Sequence, residues 1–140
     1  MSLSFERFYP WLLAFAGLII GWLSPIDISQ ENRTDLYSAA ISLGSIFAGF
    51  LTTTKAILMA LPSDGLIEKL RSSGYMPDLS AYIGQAVFGC LLFCFLNLMG
   101  FFSLGEAQVY FDAAWYALAF FSAAAFWRTT HIMLAILRSH

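Results

Sequence analysis

The chain has 140 residues, of which 59% are hydrophobic and 11% charged, whereas soluble domains carry about 25% charged residues. So little polar surface cannot cover a water-soluble core, and a mean hydropathy of +0.72 makes lipid the expected solvent. A formal net charge of -2 argues against a nucleic-acid partner, which favours a basic patch or stripe.

A helix needs ~20 mostly apolar residues to cross ~30 Å of hydrocarbon. The first such run covers residues 8–23, with Pro10 near its start, where a missing N–H costs least. A cleaved signal peptide is not expected. Glu6 beside Arg7 leaves no net positive flank, and Trp22-Leu23-Ser24-Pro25 lacks a small-x-small pattern. The second span covers residues 36–61 and stops at Pro62; the third covers 79–104; the fourth, 111–137, is longer than one bilayer thickness. The fold class is therefore all-α: one polytopic membrane domain over residues 1–140, with four transmembrane helices in a compact bundle.

Between the second and third spans, Leu66, Ile67 and Leu70 recur at helical spacing opposite Glu68, Lys69 and Arg71. That pattern predicts a short helix on the membrane surface, ended by Ser72-Ser73-Gly74. It serves either as a connector or as a partner-binding loop. With both termini cytoplasmic, Arg7, Lys69, Arg71 and Arg138 lie inside, Lys55 and Arg128 lie near that end of their helices, and only Arg33 is left outside. The outer loops then hold Asp27, Glu31, Asp35, Glu106 and Asp112.

Ionisable residues inside spans are costly and are functional candidates by default. Thr52-Thr53-Thr54-Lys55 in the second span and Arg128-Thr129-Thr130-His131 in the fourth match as GFLTTTKAILMALPS against AFWRTTHIMLAILRS. Phe50 then aligns with Phe126, and Lys55 with His131. The match suggests a repeat of two helical hairpins, the parallel kind of some transporters; chance likeness of two apolar helices is the competing reading. Thr52, Thr53, Lys55, Gln85, Arg128, Thr129 and His131 form the candidate polar cluster, lining a pore or meeting a partner. The bland alternative is that Lys55 and Arg128 extend to lipid phosphates or pair structurally.

Ser45, Ala48 and Gly49 are expected to let another helix approach closely, and Asn97 to hydrogen-bond across helices. Cys90 and Cys94, one turn apart, read as small packing residues. No zinc spacing, Gly-rich phosphate loop or HExxH pattern occurs, so no enzyme, metal or cofactor is expected. The bilayer is one partner, and abundant small residues predict a homo-oligomer, with a tetramer as the expected size.

Three stretches, GFLTTTKAILMAL, LIEKLRSSGY and LSAYIGQAVFGCLL, lie between Gly49 and Gly100. They resemble small four-helix membrane proteins of bacterial phage-defence gene clusters, including the membrane component of Kiwa systems. The resemblance implies an inner-membrane sensor or effector that works with a soluble cytoplasmic partner. A small channel for anions or protons and a structural subunit of a larger membrane complex are the competing functions.

Overall fold

A computed structural model describes residues 3–24, 29–60, 72, 74–102 and 105–138, with side chains left out at 3–7, 30–31 and 135–138. Four helices account for most of them: α1 (Leu3–Leu23), α2 (Gln30–Ala60), α3 (Met76–Met99) and α4 (Gln108–Arg138). A 3-10 turn, Gly105–Ala107, leads into α4. By length and apolarity α2, α3 and α4 can each cross a membrane, while the apolar stretch of α1, Phe8–Leu23, is shorter.

The helix ends differ from the sequence expectation where polar residues carry the helix past the apolar run. α2 begins at Gln30, ahead of Leu36, because nothing in Glu31-Asn32-Arg33-Thr34-Asp35 breaks a helix. α3 stops at Met99 instead of residue 104. There Gly100 N–H donates to both the Leu96 and Asn97 carbonyls, a tightening of the last turn. α1 starts at Leu3, so Pro10 is inside the helix and removes one i→i−4 bond, which neighbouring helices make tolerable in a membrane. The expected surface helix at Leu66–Arg71 lies outside the described residues; its expected stop, Gly74, has φ +72°, the left-handed region that favours glycine.

Successive helices run antiparallel, and α4 touches all three of the others. Along α1 and α4, Trp11 meets Phe121 at 5.1 Å and Trp22 meets Tyr110 at 5.7 Å between ring centroids. α3 packs between α4 and α2, and α2 meets α4 chiefly near two levels, through Tyr37–Phe111 and Phe47–Phe126. Phe50 and Phe126, aligned by the suggested repeat, lie side by side at 6.3 Å. The pairing of α1 with α4 and of α3 with α2 is what exchanging two hairpins about a two-fold axis produces. Lys55 and His131 break that equivalence: Lys55 is half-buried towards α3, whereas His131 is exposed.

The perimeter is inverted relative to that of a soluble bundle. The interior mixes large apolar residues such as Leu51, Leu79, Ile83 and Phe93 with small ones, Ala40, Ala48, Ala86, Cys90, Ala113, Ala124 and Ala125, and with Asn97, Asp112, Ser122, Arg128 and Thr129. Large apolar side chains such as Phe15, Ile46, Phe88 and Phe95 point outward. In water such a perimeter would be an extended sticky patch; in lipid it is the solvated face, and small interior residues let helix backbones approach. This inversion is the physical content of the membrane assignment.

The face α2 turns to its neighbours differs from the expected one. Tyr37, Ala40, Gly44, Ala48, Leu51 and Leu58 are buried, whereas Ser45 is exposed and Gly49 has open space where a Cβ would stand. Of the three small residues expected at the seam, Ala48 is buried and Ser45 only grazes Cys94, at 3.7 Å. Within one bundle, large residues, Tyr37, Leu51 and Leu58, complete the seam with Ala40, Gly44 and Ala48, and Ser45 and Gly49 lie off it.

Candidate functional site

The polar side chains of the spans gather at two levels and tie helices to one another at each. Arg33, at the start of α2, grips Asp112 of α4 with both arms: Nη1 donates to Oδ1 at 3.0 Å and Nη2 to Oδ2 at 3.4 Å. Gln108 Nε2 donates to the same Oδ1 at 2.8 Å. The two charged side chains are only 12% and 1% exposed, and a forked pair of this kind adds geometric specificity as well as energy. Sequence reading placed both residues in outer loops and missed the clamp. The signal was present, since Arg33 and Asp112 each lie within a turn of an apolar span's start.

Roughly one turn further into α4, Trp115 Nε1 donates to Asn97 Oδ1 at 2.8 Å, while Asn97 Nδ2 donates to the Phe93 carbonyl of its own helix at 2.7 Å. Asn97 is fully buried, and both ends of its amide are occupied. This is the cross-helix bond that a buried amide in lipid requires.

Sixteen residues separate Asp112 from Arg128 in α4, about 24 Å along the axis, close to the ~30 Å of hydrocarbon. The second clamp is therefore near the opposite edge of the bilayer. Arg128 is 5% exposed; its Nη2 donates to Gln85 Oε1 of α3 at 2.9 Å, and its guanidinium sits 4.2 Å from the centroid of the Tyr82 ring. A buried head stacked on an aromatic ring is not extended to lipid phosphates, so Arg128 is a pairing residue.

The remaining candidates are less connected. Lys55 is half-buried, with its Nζ beside Gly84 of α3, in a cleft of about 310 Å³ shared with Leu58, Met76 and Leu79. His131 is exposed. The Thr52, Thr53 and Thr129 hydroxyls donate to the carbonyls four residues back at 2.8, 2.9 and 2.9 Å. Their hydroxyl protons are thereby used within their own helices. Among the candidates, the structure joins Arg128 to Gln85.

Arg128→Lys should reduce stability by about 1–2 kcal/mol, because a lysine keeps the charge but loses the planar stack. Lys55→Arg should change it by less than ~0.5 kcal/mol. Unfolding in mixed detergent micelles measures both, and equal effects would contradict the distinction.

A second missed feature is Gly17-Leu18-Ile19-Ile20-Gly21 in α1, a GxxxG pattern that marks close helix contact. A Cβ on Gly17 would stand 2.7 Å from the Tyr116 carbonyl oxygen, and one on Gly21 2.7 Å from Ala113 Cα. Both glycines are buried, and they are why α1 lies flush on α4. Among the described residues, no group of three His, Cys, Asp or Glu side chains is placed to hold a metal ion.

Comparison with known protein families, curated proteins and solved structures gives no match to this chain.

Proposed function

We propose that this chain is an inner-membrane sensor or effector of bacterial phage defence, acting as a homo-oligomer together with a cytoplasmic protein. The observation that carries the proposal is that the largest buried polar side chains of the spans hold helices together. Asp112, Asn97 and Arg128 each bond a neighbouring helix, so among the described residues these groups serve packing and not a polar path from one face to the other. What is left to act is the lipid-facing perimeter and the ends of the helices. The resemblance of Gly49–Gly100 to the small four-helix defence proteins supplies the biological setting.

The proposed orientation has both termini and residues 62–78 in the cytoplasm. The Lys/Arg distribution supports it, since Arg7, Lys69, Arg71 and Arg138 fall on the cytoplasmic side and only Arg33 on the outer one. Single cysteines at positions 30 and 72, in a background lacking Cys90 and Cys94, test the orientation with a membrane-impermeant thiol reagent. Position 30 should react in intact cells and position 72 only after lysis; the reverse pattern overturns the orientation.

The channel reading is favoured by one observation, the half-buried Lys55 in its cleft. Recording membrane potential during induction separates the two. A sensor or effector at rest leaves uninfected cells polarised, whereas a constitutive channel depolarises them and loses that effect with Lys55→Gln.

A further inference from the structure

Between the two levels where α2 meets α4, the helices stand apart over a groove floored by α3. Ala40, Leu43 and Gly44 form one wall, Ala119 and Ala123 the other, and Phe93 lies beneath. The Tyr37–Phe111 contact at 5.8 Å closes the end next to the Arg33–Asp112 clamp, and Phe47 stacked on Phe126 at 4.1 Å closes the other. Leu43 and Ala123 are exposed, so the groove opens sideways into lipid.

We propose that this groove is a binding site for one phospholipid acyl chain from the leaflet on the Arg33–Asp112 side. Its dimensions select the occupant. Tyr37 and Phe47 are ten residues apart, about 15 Å along α2, which is half of the ~30 Å hydrocarbon core and the reach of one leaflet's chain. A volume of about 370 Å³ for the centres of water-sized spheres over that length leaves a channel roughly 8–9 Å across between atom surfaces once the ~1.4 Å sphere radius is added on each side. A helix with its side chains measures ~10–12 Å and does not enter. A hydrocarbon chain, with carbon contacts at ~3.5–4.0 Å, does. Left empty, the alanine and glycine walls would forfeit dispersion contacts that nothing else in the bundle supplies.

Ser122 lies beneath the groove wall: it is buried, its Oγ has no hydrogen-bond partner among the described residues, and that oxygen is closed off from the groove, so an occupant does not reach it. The inference rests on the membrane-spanning fold and not on the defence role, so either can fail alone.

The test places the full-length protein in nanodiscs containing a trace of phospholipid with a mid-chain diazirine, and maps photolabelled residues by mass spectrometry. Leu43 in the groove and Leu91 outside it are matched controls, at 52% and 54% exposure. Label at Leu43 should exceed label at Leu91 by about tenfold, the ratio given by ~1.4 kcal/mol of preferential binding. Ala123→Phe and, independently, Ala39→Phe should abolish the excess while leaving Leu91 unchanged, and Ser122→Ala should preserve it. Equal labelling of the two leucines overturns the site. Loss of the excess on Ser122→Ala overturns the proposed fit, because an acyl chain in the groove does not reach that hydroxyl. Chain-to-chain photocrosslinking from position 123, with lipid excluded, assigns the groove to a second copy instead.

Discussion

Asp112→Ala should destabilise the bundle by about 3–5 kcal/mol, the cost of leaving a buried charge without its partner. Removing the carboxylate takes from Arg33, whose side chain is 12% exposed, its counter-charge and leaves it the neutral Tyr37 hydroxyl, and it also leaves Gln108 Nε2 without the oxygen it bonds. Arg33→Ala should cost less, because Asp112 keeps the Gln108 donor. The double substitution Arg33→Met with Asp112→Leu should recover most of the loss, since a buried ion pair replaced by apolar groups of similar volume is often neutral. Steric trapping or denaturant unfolding in micelles reads all four chains. If Asp112→Ala and the double variant unfold alike, the clamp is not what joins α2 to α4.

The second large effect is expected at Gly17 and Gly21. Adding an isoleucine side chain at either position drives a Cβ to within 2.7 Å of α4 backbone, closer than van der Waals contact allows. Neither backbone can give way without moving the helix, so each substitution should cost about 3 kcal/mol or more and should swing α1 away from α4. Gly49→Ile is the control: open space surrounds its Cβ position, and its cost should stay within ~1 kcal/mol of helix-propensity effects. Disulfide formation between cysteines replacing Trp22 and Tyr110 reports whether α1 still lies along α4; retention of that crosslink in Gly21→Ile contradicts the close-contact account.

The spans were legible from sequence because the bilayer enforces length and apolarity on each helix independently. Partner choice between helices is not enforced that way. Ser45, Ala48 and Gly49 looked like a seam, yet the buried line runs through Tyr37, Gly44, Ala48 and Leu51, since a seam is set by how large and small side chains interlock across two helices. Asn97 was recognisable as a cross-helix donor or acceptor because an amide in lipid has few alternatives, although its partner, Trp115, was not. The Arg33–Asp112 pair stayed hidden because 79 residues separate its members, and each lies where an exposed loop charge is equally at home. The threonines of α2 and α4 drew attention as a polar cluster, but a threonine in a helix can satisfy its hydroxyl on its own backbone, as Thr52, Thr53, Thr54 and Thr129 do.

The defence role is tested most directly by plaquing efficiency. Cells carrying this gene with its genomic neighbours should restrict phage, and deleting this gene alone should restore plaquing to the level of unprotected cells. Asp112→Ala, by loosening the bundle, should restore it in part, while Arg33→Met with Asp112→Leu should keep protection. Protection that is absent from the intact cluster, or that persists undiminished when this gene is removed, contradicts the proposed function.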